Sequence, residues 1–245
     1  MDTQKRPLRL IIEGNIGAGK STLLSILKNE LDITIVPEPV DKWQNVMGSG
    51  NILDLFYKDT QRWAYTFQSY AFITRIQTIL EHESKISSDN KYIQLLERSI
   101  YCDRFCFAKN CYESGQMSPL EWHIYTEWFS WLAQHVAPKP NGFIYLRTTP
   151  EIAYKRITKR QRSEENNVPL SYLTSLHDKL EDWLFYKKTQ PDFLSTVPIL
   201  TLDCNIDFEY DIQTQSAHLK KIKLFADILS KTQTAIEKPH FQAHL

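Results

Sequence analysis

No C-x-x-C pair occurs in this chain, whose four cysteines are Cys102, Cys106, Cys111 and Cys204. That absence removes the common zinc and dithiol redox patterns. Cys102 and Cys106 would share a helix face, but two thiols alone make a poor metal site. Buried or free thiols are expected, which suits a reducing compartment. A charge surplus is also missing, since Lys+Arg and Asp+Glu each number 29. A binder of nucleic-acid polymers usually carries basic excess to neutralise phosphates, so that class loses ground, while a local basic cluster for a small phosphate ligand stays allowed. No apolar run approaches membrane-spanning length, and no internal repeat or low-complexity segment shows. The opening MDTQKRP enters a strand-like segment within a few residues. This reads as leaving no room for a signal or transit peptide and sets a cytoplasmic expectation. What remains is ordinary for a globular protein: 245 residues, 42% hydrophobic and 24% charged, enough for a sizeable core.

Short apolar runs alternate with helical patterns. Strands are expected at Leu8 to Glu13, Ile33 to Val36, Tyr92 to Leu96, Gly142 to Leu146 and Pro198 to Leu202. Helices are expected at Lys20 to Leu31, Asp59 to Glu83, Cys102 to Glu113, Pro119 to Val136, Pro150 to Lys159, Leu170 to Lys188 and Ser216 to Ser230. In the long second helix, Trp63, Phe67, Tyr70, Thr74 and Gln77 mark one side of an amphipathic pattern. Such alternation implies an α/β fold, a five-stranded parallel sheet covered by helices on both faces. Pro138-Lys139-Pro140 reads as a connector inside a single domain of residues 1–245, with a loose tail from about 232.

Gly14-Asn15-Ile16-Gly17-Ala18-Gly19-Lys20-Ser21 matches G-x-x-x-x-G-K-[ST] in full, after a strand and opening a helix. Glycines let the backbone wrap phosphate oxygens, and the N–H groups with the helix N-terminus supply positive potential. Lys20 would reach the β/γ-phosphates and the Ser21 hydroxyl would ligate Mg²⁺. The motif means nucleoside triphosphate binding. It does not by itself separate a kinase from a GTPase, a motor or an ATP-driven switch.

A phosphoryl acceptor must be held in line and lose a proton. Pro37-Glu38-Pro39 ends the second strand, where open α/β sheets collect ligands, and two prolines stiffen the backbone around the carboxylate. Glu38 is the general-base candidate, against the plainer reading of a solvated loop glutamate. The third strand delivers Glu97 and Arg98: Glu97 to meet Mg²⁺, Arg98 to neutralise charge near the acceptor oxygen and Glu38. The plain alternative is a surface ion pair. Arg156, Arg160 and Arg162 follow the fourth strand; Arg156 and Arg160 share a helix face and suit a closing lid that clamps phosphoryl oxygens. On the long helix, Gln68, Ala71, Phe72 and Arg75 fall on one face over two turns, and the Gln68 amide can pair with a nucleobase edge. Phe67 and Phe107 are available as stacking walls, although aromatics such as Trp63 and Tyr70 at helical spacing usually serve a core.

The run Ile12 to Thr22, Val36-Pro37-Glu38-Pro39-Val40 with Trp43, and Arg62-Trp63 through Phe67-Gln68-Ser69-Tyr70-Ala71 resemble the deoxyribonucleoside kinase family. So do Glu97-Arg98-Ser99-Ile100-Tyr101 with Asp103-Arg104, Tyr112-Glu113-Ser114, the lid arginines, and Pro198 to Asp203. The likeness spans residues 8 to 230 in order, and within the family it is nearest to the deoxycytidine and deoxyguanosine kinases.

That resemblance implies a P-loop kinase fold with an arginine-rich lid over about 156–168. The implied reaction is transfer of the ATP γ-phosphoryl, with Mg²⁺, to the 5′-hydroxyl of a deoxynucleoside for nucleotide salvage. Glu38 would be the base with Arg98 beside it. Tyr57 and Glu165 would hold the sugar 3′-hydroxyl. Gln68 would read a base held between Phe107 and Trp43, Phe67 and Leu53. Donor binding would fall to Gly14 through Thr22, the lid arginines and Asp207 over the donor's base. Arg75 and Asp103 look like the charged pair of the deoxycytidine/purine branch, so cytosine, adenine or guanine is expected rather than thymine. A homodimer through long helices is implied, with no nucleic-acid polymer or membrane as partner. Phe56 departs from the family pattern, where a more flexible side chain is expected, and would narrow the pocket. Cys102 stands where a small hydroxyl residue is expected.

Overall fold

The computed structural model describes residues 7–84, 93–165, 168–189 and 191–237. Five strands form one parallel sheet: β1 (Leu8–Gly14), β2 (Ile33–Val36), β3 (Ile93–Glu97), β4 (Gly142–Arg147) and β5 (Ile199–Asp203), in the order β2-β3-β1-β4-β5. Central β1 pairs Ile12 with Glu97 of β3 and Gly14 with Leu146 of β4. Tyr92, expected to open the third strand, lies outside the described residues, as do the opening residues 1–6.

Strand alternation sorts the core. Leu8, Leu10 and Ile12 pack with Leu23, Leu24 and Leu27 of α1 (Lys20–Glu30) and with Ile222, Ala226 and Leu229 of α10 (Ile212–Glu237). Ile11, Val36 and Leu96 face the other side, which carries α2 (Val40–Gln44), α3 (Ile52–Lys58) and α4 (Thr60–Glu83). That side also carries α5 (Ile100–Cys102), α6 (Lys109–Glu113), α7 (Pro119–His135), α8 (Pro150–Arg160) and α9 (Leu170–Leu180). The connection after β1 therefore leaves toward one face and that after β3 toward the other. A crevice opens between their carboxyl ends, where ligands of such sheets bind.

Three expectations needed correction. α4 is not amphipathic: Ala64, Phe67, Gln68, Ala71, Phe72, Thr74, Arg75, Ile76, Thr78 and Ile79 are all buried, whereas Gln77 is exposed. Polar residues inside this helix obscured its burial because they serve the crevice. The helix expected at Cys102 to Glu113 holds a π-helical stretch, Asp103–Ala108, between α5 and α6. A second, Glu181–Phe185, continues α9. Finally, α10 runs to Glu237, into the stretch read as a loose tail; residues 238–245 lie outside the description.

Candidate active site

The loop after β1 takes its shape from contacts that no side chain could share. Gly17 has φ +78, and a Cβ there would stand 2.4 Å from the Ala153 carbonyl oxygen of α8. Gly19 has φ +95, and a Cβ would meet the Phe208 ring at 2.8 Å. Only glycine satisfies both the left-handed backbone and the close approach. The buried Asn15 side chain donates to the Leu173 carbonyl at 2.8 Å and accepts from the Ile16 N–H at 2.8 Å, tying the loop to α9. Lys20 Nζ donates to the Asn15 carbonyl at 2.9 Å. Burial, then the nearby Arg98 charge, lowers the Lys20 ammonium to about 8, a cost that a bound triphosphate would relieve.

Ser21 Oγ donates to Glu97 Oε1 at 2.8 Å, so the two expected metal-side residues stand together. Among the described residues no cluster of three or more His, Cys, Asp or Glu could hold a metal by itself. A hydroxyl with one carboxylate is instead the partial set of hard oxygen donors that Mg²⁺ takes when phosphates and water complete its shell.

Behind this lies a cleft of about 250 Å³. Every acceptor-side residue named from the sequence lines it: Glu38, Trp43, Leu53, Tyr57, Phe67, Gln68, Arg75, Arg98, Asp103, Phe107 and Glu165. Arg98 leaves the end of β3 at φ +65, rare for a residue with a side chain, while its N–H is held by the Ile12 carbonyl at 3.0 Å. Its Nη1 donates to the Gly14 carbonyl at 2.9 Å, its Nε approaches Glu38 Oε1 to 3.3 Å, and its guanidinium lies 4.8 Å from the Phe107 ring centre.

The stronger partner of Glu38 is one that sequence reasoning did not assign. Arg75 Nη2 donates to Glu38 Oε1 at 2.8 Å. Arg75 also grips Asp103 through Nε at 2.8 Å and Nη2 at 3.0 Å, and donates Nη1 to the Glu97 carbonyl at 3.2 Å. Burial would raise the Glu38 carboxyl, but Arg75, then Arg98 and Lys20, outweigh it and hold it at about 2. The expected Arg75–Asp103 pair is thus part of a longer chain of charges, Asp103–Arg75–Glu38.

The walls are aromatic. Trp43 meets Phe67 edge-on at 5.6 Å and anchors its Nε1 on Thr74 Oγ1 at 2.9 Å. Gln68 is buried in the cleft wall, and its Nε2, an unsatisfied donor, has no hydrogen-bond partner among the described residues. Phe56 does stand in the wall, stacked on Phe67 at 4.8 Å. Phe72, placed from spacing on the same helix face as Gln68, turns into the core against Tyr125 and Phe129. Tyr172 on α9 was missed; it lines the cleft edge-on to Tyr57 at 6.4 Å, and only its distance in sequence hid it. Glu13 was missed too. Fully buried beside the P-loop, it accepts from Ser99 Oγ at 2.6 Å, and burial raises its carboxyl well above the ordinary range.

The arginines divide rather than cluster. Arg160 and Arg162 line the acceptor cleft and pair with Glu165, Arg162 at 3.1 Å. Arg156 sits in a second hollow with Gly17, Gly19, Thr22, Lys159, Asp207 and Phe208, into which Arg160 also reaches. There Arg156 Nη2 donates to the Ile206 carbonyl at 3.1 Å, and Nη1 has no partner among the described residues. Asn166 and Asn167 of the expected lid lie outside those residues.

The sequence matches the family model for deoxynucleoside kinase over residues 10–227. It is 42% identical over 242 residues to deoxycytidine kinase 2 of Gallus gallus, covering 91% of each chain. It is 41% identical to deoxycytidine kinase of Homo sapiens over 90% of this chain and 92% of the relative. It is 35% identical to the mitochondrial deoxyguanosine kinase of Xenopus laevis over 89% of each. A match across residues 10–227, together with relatives about 40% identical over nine-tenths of the chain, agrees with a P-loop set beside a half-buried carboxylate held by two arginines: the chain belongs to the deoxynucleoside kinase family.

Proposed function

We propose that this chain, acting as a single domain, transfers the γ-phosphoryl of ATP to the 5′-hydroxyl of deoxycytidine, deoxyadenosine or deoxyguanosine in nucleotide salvage. The observation that carries the reading is Glu38, ionised between Arg75 and Arg98 at the mouth of the acceptor cleft. A sugar alcohol placed there would donate to Glu38, while Arg98 offsets charge developing on its oxygen. Transfer to phosphorus acidifies the alcohol as the new bond forms, so a weakly basic carboxylate suffices as a late acceptor of the proton. Ser21 and Glu97 would hold Mg²⁺, which neutralises charge on the donor phosphates. Lys20, Arg156, Arg160 and Arg162 would bind and orient those phosphates, with Asp207 near the donor's base.

Base choice rests on Gln68 and the Arg75–Asp103 pair, polar groups whose buried positions suit an amide-like base edge. Deoxycytidine and the purine deoxynucleosides are expected to exceed thymidine by about tenfold or more in kcat/KM, because a site built around fixed polar groups rejects the wrong edge. Rates on all four deoxynucleosides with ATP and Mg²⁺ test this. Thymidine turning over fastest would reverse the base assignment. Failure of all four would leave a nucleotide-binding module.

Among the described residues no helix is long and apolar enough to cross a membrane, and all four cysteines are free and buried. These suit the proposed cytoplasmic setting. Ile73 and Leu80 of α4 and Leu120, Trp128 and Trp131 of α7 are exposed, an apolar surface that a homodimer through these long helices would cover. Sedimentation at twice the protomer mass is expected; a monomer at micromolar concentration would count against the dimer.

A further inference from the structure

Glu164 and Glu165 are neighbours, both buried, on the short turn Ser163–Glu165 that follows α8. The turn is set by Gln161, whose left-handed backbone (φ 53) caps α8 and reverses the chain. Glu165 turns into the acceptor cleft and pairs with Arg160 and Arg162. Glu164 points elsewhere. Its Oε1 accepts from Gln44 Nε2 at 2.8 Å and from Asn51 Nδ2 at 2.9 Å. These two donors lie more than a hundred positions away, at the end of α2 and at the N-cap of α3. α2 carries Trp43 and α3 carries Leu53, Phe56 and Tyr57, the outer wall of the cleft.

We propose that Glu164 is a positioning residue: by clasping Gln44 and Asn51 it fastens the arginine-bearing turn to the acceptor wall. Glu165 is thereby kept in the cleft that Tyr57 lines, and retention of the acceptor becomes linked to placement of Arg160 and Arg162. The inference rests on the acceptor reading given above. Two charge-assisted hydrogen bonds to one buried carboxylate are strong enough to matter, and both cross from this turn to the acceptor wall.

Asn51 offers a clean probe because its Oδ1 separately caps α3 by accepting from the Asp54 N–H at 2.9 Å. Asn51→Asp keeps that cap and sets a carboxylate against Glu164. Adding Glu164→Gln exchanges donor and acceptor and restores a hydrogen bond. Deoxycytidine dissociation, followed by tryptophan fluorescence, is expected to quicken about tenfold in Asn51→Asp and in Glu164→Ala, by the loss of charge-assisted bonding. The double variant is expected to return within about threefold of the starting protein, and nucleoside KM should rise in the single variants while kcat holds or increases. Amide exchange of residues 161–165, read without nucleoside, should speed in the same two variants. Unchanged dissociation and exchange in Glu164→Ala would overturn the proposal, as would equal damage in the double variant. Failure of the starting protein to bind any deoxynucleoside would instead strike the acceptor reading, and the exchange data would still judge the clasp.

Discussion

Glu38→Gln is expected to lower kcat by about 10²-fold or more while nucleoside binding changes little. The amide keeps the shape and can still accept a hydrogen bond from the sugar alcohol, but it cannot take up the proton. Arg75 stays anchored on Asp103 in this variant, so the fold should survive. The wild-type pH profile adds a second expectation. Glu38 is held at about 2 against an ordinary 4.5, so it is ionised at every pH where the protein is handled. Its contribution to stability is complete above the unfolded value of 4.5 and is lost progressively as pH falls from there through about 2. The deficit of the Gln variant should therefore be constant between roughly pH 5 and 8, and no acidic limb of the wild-type profile in that window belongs to Glu38. Steady-state kinetics across pH check both statements. Near-normal turnover in the variant would remove Glu38 from the reaction.

Arg75→Met should be the most damaging change to stability around the cleft. Arg75 and Asp103 are each only 3% exposed, so the lost guanidinium leaves a carboxylate without a counter-charge in a site that water hardly enters. Breaking such a pair costs about 3–5 kcal/mol. For a chain of this size that is a fall in Tm of roughly 6–20 °C. Removing both charges, as in Arg75→Met with Asp103→Asn, should recover most of the loss, because the penalty lies in the unpaired charge rather than in the missing contact. The single variant should also release Glu38 from its main counter-charge, so its carboxyl rises and kcat acquires an acidic limb that the wild type lacks. Thermal melts of the three proteins decide the matter. A single variant as stable as the wild type would show that the pair is not the anchor of the cleft.

Both expectations turn on partners that local pattern could not supply. Glu38 was legible as a rigid carboxylate between two prolines at a strand end, and Arg98 as its companion. That Arg75, almost forty positions away on α4, would be the nearer cation was not. Spacing put Gln68, Ala71, Phe72 and Arg75 on one face. Three of them do line the cleft, while Phe72 rotates into the aromatic core. The π-helical stretch Asp103–Ala108 includes Asp103 and Phe107, two of the cleft's residues, and nothing in its composition distinguishes it from ordinary helix. Most of the acceptor site could be named only through the family resemblance.

By itself, the sequence determined the features whose causes are local. The P-loop is eight consecutive residues whose backbone shape demands glycine at set places, and the strand–helix alternation follows from short-range periodicity. Tertiary structure alone decided which charges meet. It brought Arg75 between Asp103 and Glu38, parted Arg156 from Arg162, and turned Glu164 and Glu165 in different directions. A hydrogen-bonded ion pair needs its partners within about 3 Å, and those distances exist only once helices far apart in the chain have packed.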